Sequence, residues 1–141
     1  MYFIDTEKVE NEAIESGDKK RGTILIVEDN NEIRHYLSSG LAELFNILEA
    51  GNGEEALEKL KGNEVDIIVT DVMMPVMDGY TATRKIRELE RSDAKTVPII
   101  AMTANAFQED AEKCIAVGMN AHLAKPLDIE KMKKTIKSIC S

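Results

Sequence analysis

The stretch Val65-Asp66-Ile67-Ile68-Val69-Thr70-Asp71-Val72-Met73-Met74-Pro75-Val76-Met77-Asp78-Gly79 decides the reading of this chain. Its β-branched, apolar run through Ile67, Ile68 and Val69 predicts a buried strand over residues 65–70. The run stops at an acidic side chain, Asp71, and Pro75 and Gly79 mark a loop behind it. Open α/β sheets hold their chemistry at the carboxyl ends of parallel strands. Asp71 is thus the first residue to explain.

The same alternation extends outward in both directions. Strands are predicted at 23–28 (TILIVE), 46–50, 97–102 and 121–124, with Pro98 near the start of the fourth. A first helix from Asn30 to about Phe45 carries Ile33, Leu37, Leu41 and Leu44 on one face, with Asp29 or Asn30 as N-cap. A second, over 53–60, presents Ala56, Leu57 and Leu60 and stops at Gly62. A third runs from Gly79 to about Arg91 on Ala82, Ile86 and Leu89. The fourth spans 107–117 and ends at Gly118. The last covers 127–139 with Leu127, Met132, Ile136 and Ile139. Five strands alternating with helices imply right-handed crossovers and a doubly wound α/β domain, a five-stranded parallel sheet with helices on both faces.

Length and composition agree with one such domain. The 141 residues suffice for a real core, and a hydrophobic fraction of 43% is ordinary for a globular chain. A net charge of −8 argues against general affinity for nucleic acid or anionic membrane, while leaving cation binding open. Cys114 and Cys140 lie far apart with no CxxC or Cys/His ligand spacing, as expected of reduced thiols in the cytosol. No apolar run is long enough to cross a bilayer, and acidic Asp5 and Glu7 rule out a signal peptide. The expectation is a soluble, cytoplasmic chain. Residues 1–22 are polar and charged and read as a linker or frayed extension, with the domain over 23–141. Met1-Tyr2-Phe3-Ile4 reads either as the remnant of an upstream domain or as a plain terminus.

Parallel strands all point their carboxyl ends to one edge. There the sequence places Glu28-Asp29, Asp71, Thr103 and Lys125. Three carboxylates at one edge repel unless something neutralises them, and a hard divalent cation with oxygen ligands, Mg²⁺ with retained waters, is the natural solution. Lys125 adds a fixed positive charge and Thr103 a hydroxyl donor, a set suited to a group with three anionic oxygens. Asp71 then reads as a nucleophile toward phosphorus, forming an aspartyl phosphate. Taken singly, Asp71 is explained by a turn or cap, Thr103 by ordinary packing and Lys125 by a solvated surface. Their joint occurrence at strand ends carries the reading. The methionines at 73, 74 and 77 are gap fillers rather than soft metal ligands. His35 and His122 lack a third partner at zinc-site spacing.

The segments ILIVEDN, VTDVMMPVMDGY, IIAMTANAF and GMNAHLAKPL together make residues 23–139 resemble the receiver domain of bacterial two-component response regulators. The resemblance implies the (βα)5 flavodoxin-like receiver fold, with Asp71 as phosphoacceptor. It implies Mg²⁺ held by Asp29, Asp71 and the backbone carbonyl of Met73, with Glu28 helping through water. Thr103 and Lys125 would contact phosphoryl oxygens, small Ala104 would leave the entrance open, and the Lys125–Pro126 bond would be cis. Most receivers carry Tyr or Phe three residues before the lysine, where this chain has His122. An imidazole is smaller and polar, which puts the threonine–aromatic coupling in question and admits pH sensitivity of the active state; a tolerated surface histidine is the plainer alternative.

GMNAHLAKPL with TANAF looks most like receivers of hybrid histidine kinases. The implied partners are a histidine kinase dimerisation domain or a histidine phosphotransfer protein, with no direct nucleic-acid binding and no membrane insertion of this segment. The parent would be a histidine kinase, and the domain itself a self-modifying two-state switch, signalling through its fourth helix, fifth strand and fifth helix, rather than a turnover enzyme. A stand-alone single-domain regulator and a phosphorylation-independent receiver-like module remain alternatives. A haloacid-dehalogenase-like phosphatase would need a second Asp where Met73 stands. A flavodoxin would need a Ser/Thr/Gly-rich phosphate loop after the first strand.

Overall fold

The computed structural model describes residues 22–74, 76–103 and 108–140. Its elements alternate as β1 (Thr23–Val27), α1 (Asn31–Leu41), β2 (Asn46–Ala50), α2 (Gly53–Leu60), β3 (Ile67–Asp71), α3 (Gly79–Arg87), β4 (Ile99–Thr103), α4 (Gln108–Val117), β5 (Ala121–Ala124) and α5 (Ile129–Cys140). The five strands form one parallel sheet in the order β2-β1-β3-β4-β5, so the doubly wound expectation holds and β3 is central. The proposed linker falls almost wholly outside the described residues, as do Ala104 and Pro75.

Two cores follow from the period of two along each strand. Ile24, Ile26, Ile67, Val69, Ile100, Met102 and Leu123 face α1 and α5, meeting Leu37, Leu41, Met132 and Ile136. Leu25, Val27, Ile68, Ile99 and Ala101 face the other way, against Ala56 and Leu60 of α2, Ile86 of α3 and Cys114 of α4. A one-residue slip of β3 would exchange these sets, so burial on both faces fixes the register. Each fully buried Leu or Ile contributes about 1.5–3 kcal/mol of transfer free energy.

Helix starts follow their caps. Asn30 accepts from Ile33 N at 3.0 Å, Asn52 from Glu55 N at 2.9 Å and Asp78 from Thr81 N at 2.8 Å. Two ends differ from the periodicity. α1 stops at Leu41, whose carbonyl accepts from both Leu44 and Phe45 at 3.1 Å, because the chain must turn to pair Asn46 N with Gly22 O at 2.7 Å. α3 stops at Arg87, short of the expected Arg91, because both arginines serve carbonyls elsewhere. Arg87 donates to Val97 O at 2.7 Å and Gly118 O at 2.6 Å, and Arg91 to Leu60 O at 2.7 Å. These bonds tie the amino edge of the sheet together. Gly118, at φ +101°, closes α4 as its sequence position implied, with Met119 N bonded to Cys114 O at 2.9 Å.

Gly79 opens α3 against the end of β3. A Cβ there would collide with the Asp71 carbonyl oxygen and approach Val72 Cα to 3.1 Å, whereas Gly62, at φ +76°, has open space around it. Gly79→Ala is expected to cost about 1–3 kcal/mol by overpacking, and Gly62→Ala about 1 kcal/mol by backbone strain alone. Urea unfolding of both variants checks the ranking, and a Gly79→Ala protein as stable as wild type would contradict the close approach.

Candidate functional site

The carboxyl edge of the sheet gathers the residues that sequence placed there. Glu28 and Asp29 follow β1 and Asp71 ends β3. One carboxylate oxygen from each lies within 4.8 Å of the others. Thr103 ends β4, one residue beyond the Met102 that pairs with Asp71, and is buried. Its carbonyl accepts from Lys125 N at 2.8 Å, which aims Lys125 back across the edge. Lys125 Nζ lies 3.1 Å from Glu28 Oε1 and 3.2 Å from Asp71 Oδ2. The other Asp71 oxygen accepts from Met73 N at 3.3 Å. The Lys125–Pro126 bond is cis.

Burial sets the electrostatics. The Glu28 side chain is 1% exposed, Asp71 7% and Lys125 26%. Desolvation raises Glu28 to about 7, with the charge of Asp71 adding to it and bonds from Asn30 N and Lys125 opposing. Burial pulls Lys125 down, yet its bond to Glu28 and the charge of Asp71 outweigh that pull and hold it above the usual lysine range. When ionised, three carboxylates and one ammonium leave two negative charges on an all-oxygen donor set. That set fits a small hard dication.

His122 lies on β5 opposite Ala101 and shares its sheet face, the one covered by α2, α3 and α4. It is half-buried and stands back from the strand ends, so it is no part of the carboxylate cluster. Val76, in the loop after β3, holds φ at +69°, an unusual conformation for a β-branched residue, and is exposed. Sequence reasoning overlooked Arg34, whose Nη1 donates to Glu28 O at 2.6 Å. The available signal was a cation close to a helix start, where the helix dipole disfavours it.

The raised Glu28 has a consequence for the metal-free protein. The folded state holds a proton on Glu28 that the unfolded chain, at the ordinary 4.5, releases earlier. The stability it contributes is full below pH 4.5 and is lost as pH rises toward about 7. Thermal melts in EDTA should show wild type losing stability relative to Glu28→Gln across that window. Parallel curves for the two proteins would refute the assignment.

Comparison with known proteins matches residues 24–137 to the response regulator receiver domain family. The sensor histidine kinase RcsC of Escherichia coli (strain K12) is 39% identical over 114 residues, covering 80% of this chain and 12% of that protein. Hybrid signal transduction histidine kinase B of Dictyostelium discoideum is 40% identical over 132 residues, 86% of this chain and 7% of that protein. The chain thus spans a small fraction of the curated relatives it matches. Among solved structures, the receiver domain of sensor histidine kinase PA1611 from Pseudomonas aeruginosa PAO1, with a magnesium ion coordinated in its active site cleft, superposes with a TM-score of 0.76. It is 38% identical, covering 85% of this chain and 98% of that one. With its five-stranded parallel sheet and this match over most of its length, the chain belongs to the response regulator receiver domain family, homologous to the receivers of hybrid histidine kinases.

Proposed function

We propose that this receiver accepts a phosphoryl group on Asp71 from a histidine of a kinase dimerisation domain or a histidine phosphotransfer protein. The observation that carries the reading is the Asp71 carboxylate at the end of the central strand, paired at 3.2 Å with Lys125 and grouped with Glu28 and Asp29. An Asp71 oxygen attacks phosphorus in line with the P–N bond of phosphohistidine. The P–O bond forms, the P–N bond breaks, and its electron pair leaves with the imidazole, which takes up a proton. Lys125 exchanges its carboxylate contacts for a phosphoryl oxygen, and the Thr103 hydroxyl binds another. Asp29, Asp71 and the Met73 carbonyl would hold Mg²⁺, with Glu28 helping through water; when bound, the ion neutralises charge at the transferring group. Magnesium in the active site cleft of the PA1611 receiver supports Mg²⁺ as the ion.

The phosphorylated form then favours a second conformation through Thr103 and Lys125, read out at α4, β5 and α5, with His122 at the switch position. Ala104 and Pro126 belong to the same reading, as neighbours of the threonine and lysine. The relatives support an origin in a hybrid histidine kinase; on that reading residues 1–22 are a linker, residues 23–141 the receiver, and the setting is cytoplasmic. Among the described residues, no helix is long and apolar enough to cross a membrane.

Acetyl phosphate with Mg²⁺ should add one phosphoryl group, seen by intact-mass spectrometry, and EDTA or Asp71→Asn should abolish it. Lys125→Met should slow the reaction about 100-fold while leaving Asp71 in place. An adduct that persists in Asp71→Asn would sink the assignment of Asp71. Absence of any adduct, together with failure to bind beryllofluoride, would favour a phosphorylation-independent module.

A further inference from the structure

We propose that Arg34 is a positioning residue for the cation-binding carboxylates, holding the turn between β1 and α1 in the conformation that aims Asp29 into the site. The proposal rests on the reading of Glu28, Asp29 and Asp71 as a Mg²⁺ site. Two of those acids lie on this one short turn. Glu28 is anchored by Lys125 and by its own contact to Asn30 N at 3.1 Å. Asp29 is exposed, and among the described residues no hydrogen bond holds its carboxylate. Its direction therefore follows from the backbone of the turn.

That backbone is held by a guanidinium. Arg34 Nη1 donates to Glu28 O at 2.6 Å, the carbonyl of the peptide that joins Glu28 to Asp29. Nη2 donates to Asn31 Oδ1 at 2.5 Å, and Nε to Glu49 Oε1 on β2 at 3.1 Å. One planar fork thus joins the end of β1, the first residue of α1 and the neighbouring strand. A lysine, a point charge on a flexible stem, cannot reproduce three such contacts. The side chain is 21% exposed beside a polar cleft of about 380 Å³ lined by Asp29, Asn31, Arg34, Glu49 and Glu55. Because the turn borders open space, the fork takes the place of packing.

Charge and geometry predict opposite signs, which makes the inference testable. A cation this close to the acids repels Mg²⁺, so if Arg34 acted only by its charge, removing it would tighten binding. If it orients Asp29, removing it weakens binding although the repulsion has gone.

The experiment is calorimetric titration of the full chain with MgCl₂, alongside amide hydrogen exchange in EDTA. Arg34→Gln is expected to raise the Mg²⁺ Kd about tenfold, the scale of lost outer-shell support. Arg34→Lys should lose most of that affinity despite its charge, and Glu49→Ala, which removes one anchor, should shift Kd in the same direction by less. Exchange at the Ile33 and Arg34 amides should quicken about tenfold in Arg34→Gln, with no metal involved. Unchanged exchange, an unchanged or lowered Kd in Arg34→Gln, or full retention of affinity in Arg34→Lys would each overturn the proposal. Wild-type protein that binds no Mg²⁺ would overturn it too, but through failure of the metal reading itself, which only that outcome marks.

Discussion

Carboxylates crowded at one edge of a sheet need an opposite charge, and in this molecule Lys125 supplies it. Its ammonium lies within 3.2 Å of both Glu28 and Asp71, two side chains almost wholly withdrawn from water. Burial without that partner would leave charges that fold poorly or protonate. Burial with it leaves Glu28 raised and the cluster still negative. The parallel sheet makes the arrangement possible because every strand delivers its last residue to the same edge.

The two edges of that sheet divide the work. At the carboxyl edge stand the acids, the threonine and the lysine. At the amino edge Arg87 and Arg91 close loops onto one another through backbone carbonyls of Val97, Gly118 and Leu60. Arg87 is held by neutral oxygens, whereas Arg91 is also paired with the carboxylate of Asp93 at the same edge. α4 is pinned at its carboxyl end by Gly118 and Arg87, so any rearrangement that starts near Thr103 meets a fixed point there.

The sequence was most legible where chemistry and periodicity coincide. Ile67, Ile68 and Val69 announce a strand buried on both faces, and Asp71 breaks the apolar run at its carboxyl end with a buried carboxylate, so fold and site were read from the same residues. Helix ends were less legible. Leu44 and Leu89 continue an apolar period past the true ends of α1 and α3; Leu44 is buried beneath the turn that follows α1, whereas Leu89 is exposed. Long-range polar contacts were least legible: nothing local in Arg34 says that its partners are Glu28 O and the carboxylate of Glu49. Such contacts are fixed by how strands lie side by side, which no short window of sequence contains.

The pairing of Lys125 with Glu28 also has a bearing on when the protein becomes competent. The two residues are 97 positions apart, and Lys125 is 54 from Asp71. Neither bond can form until β5 has joined β4 and β4 has joined β3, which places loop closure over most of the chain ahead of it. Helices can form early on local contacts, but this cluster has no local version. A nascent chain that has not yet emerged through Lys125 holds its carboxylates without their counter-charge, and so the assembled edge reports that the strands from β1 to β5 across the sheet are in place, with β2 outside that report.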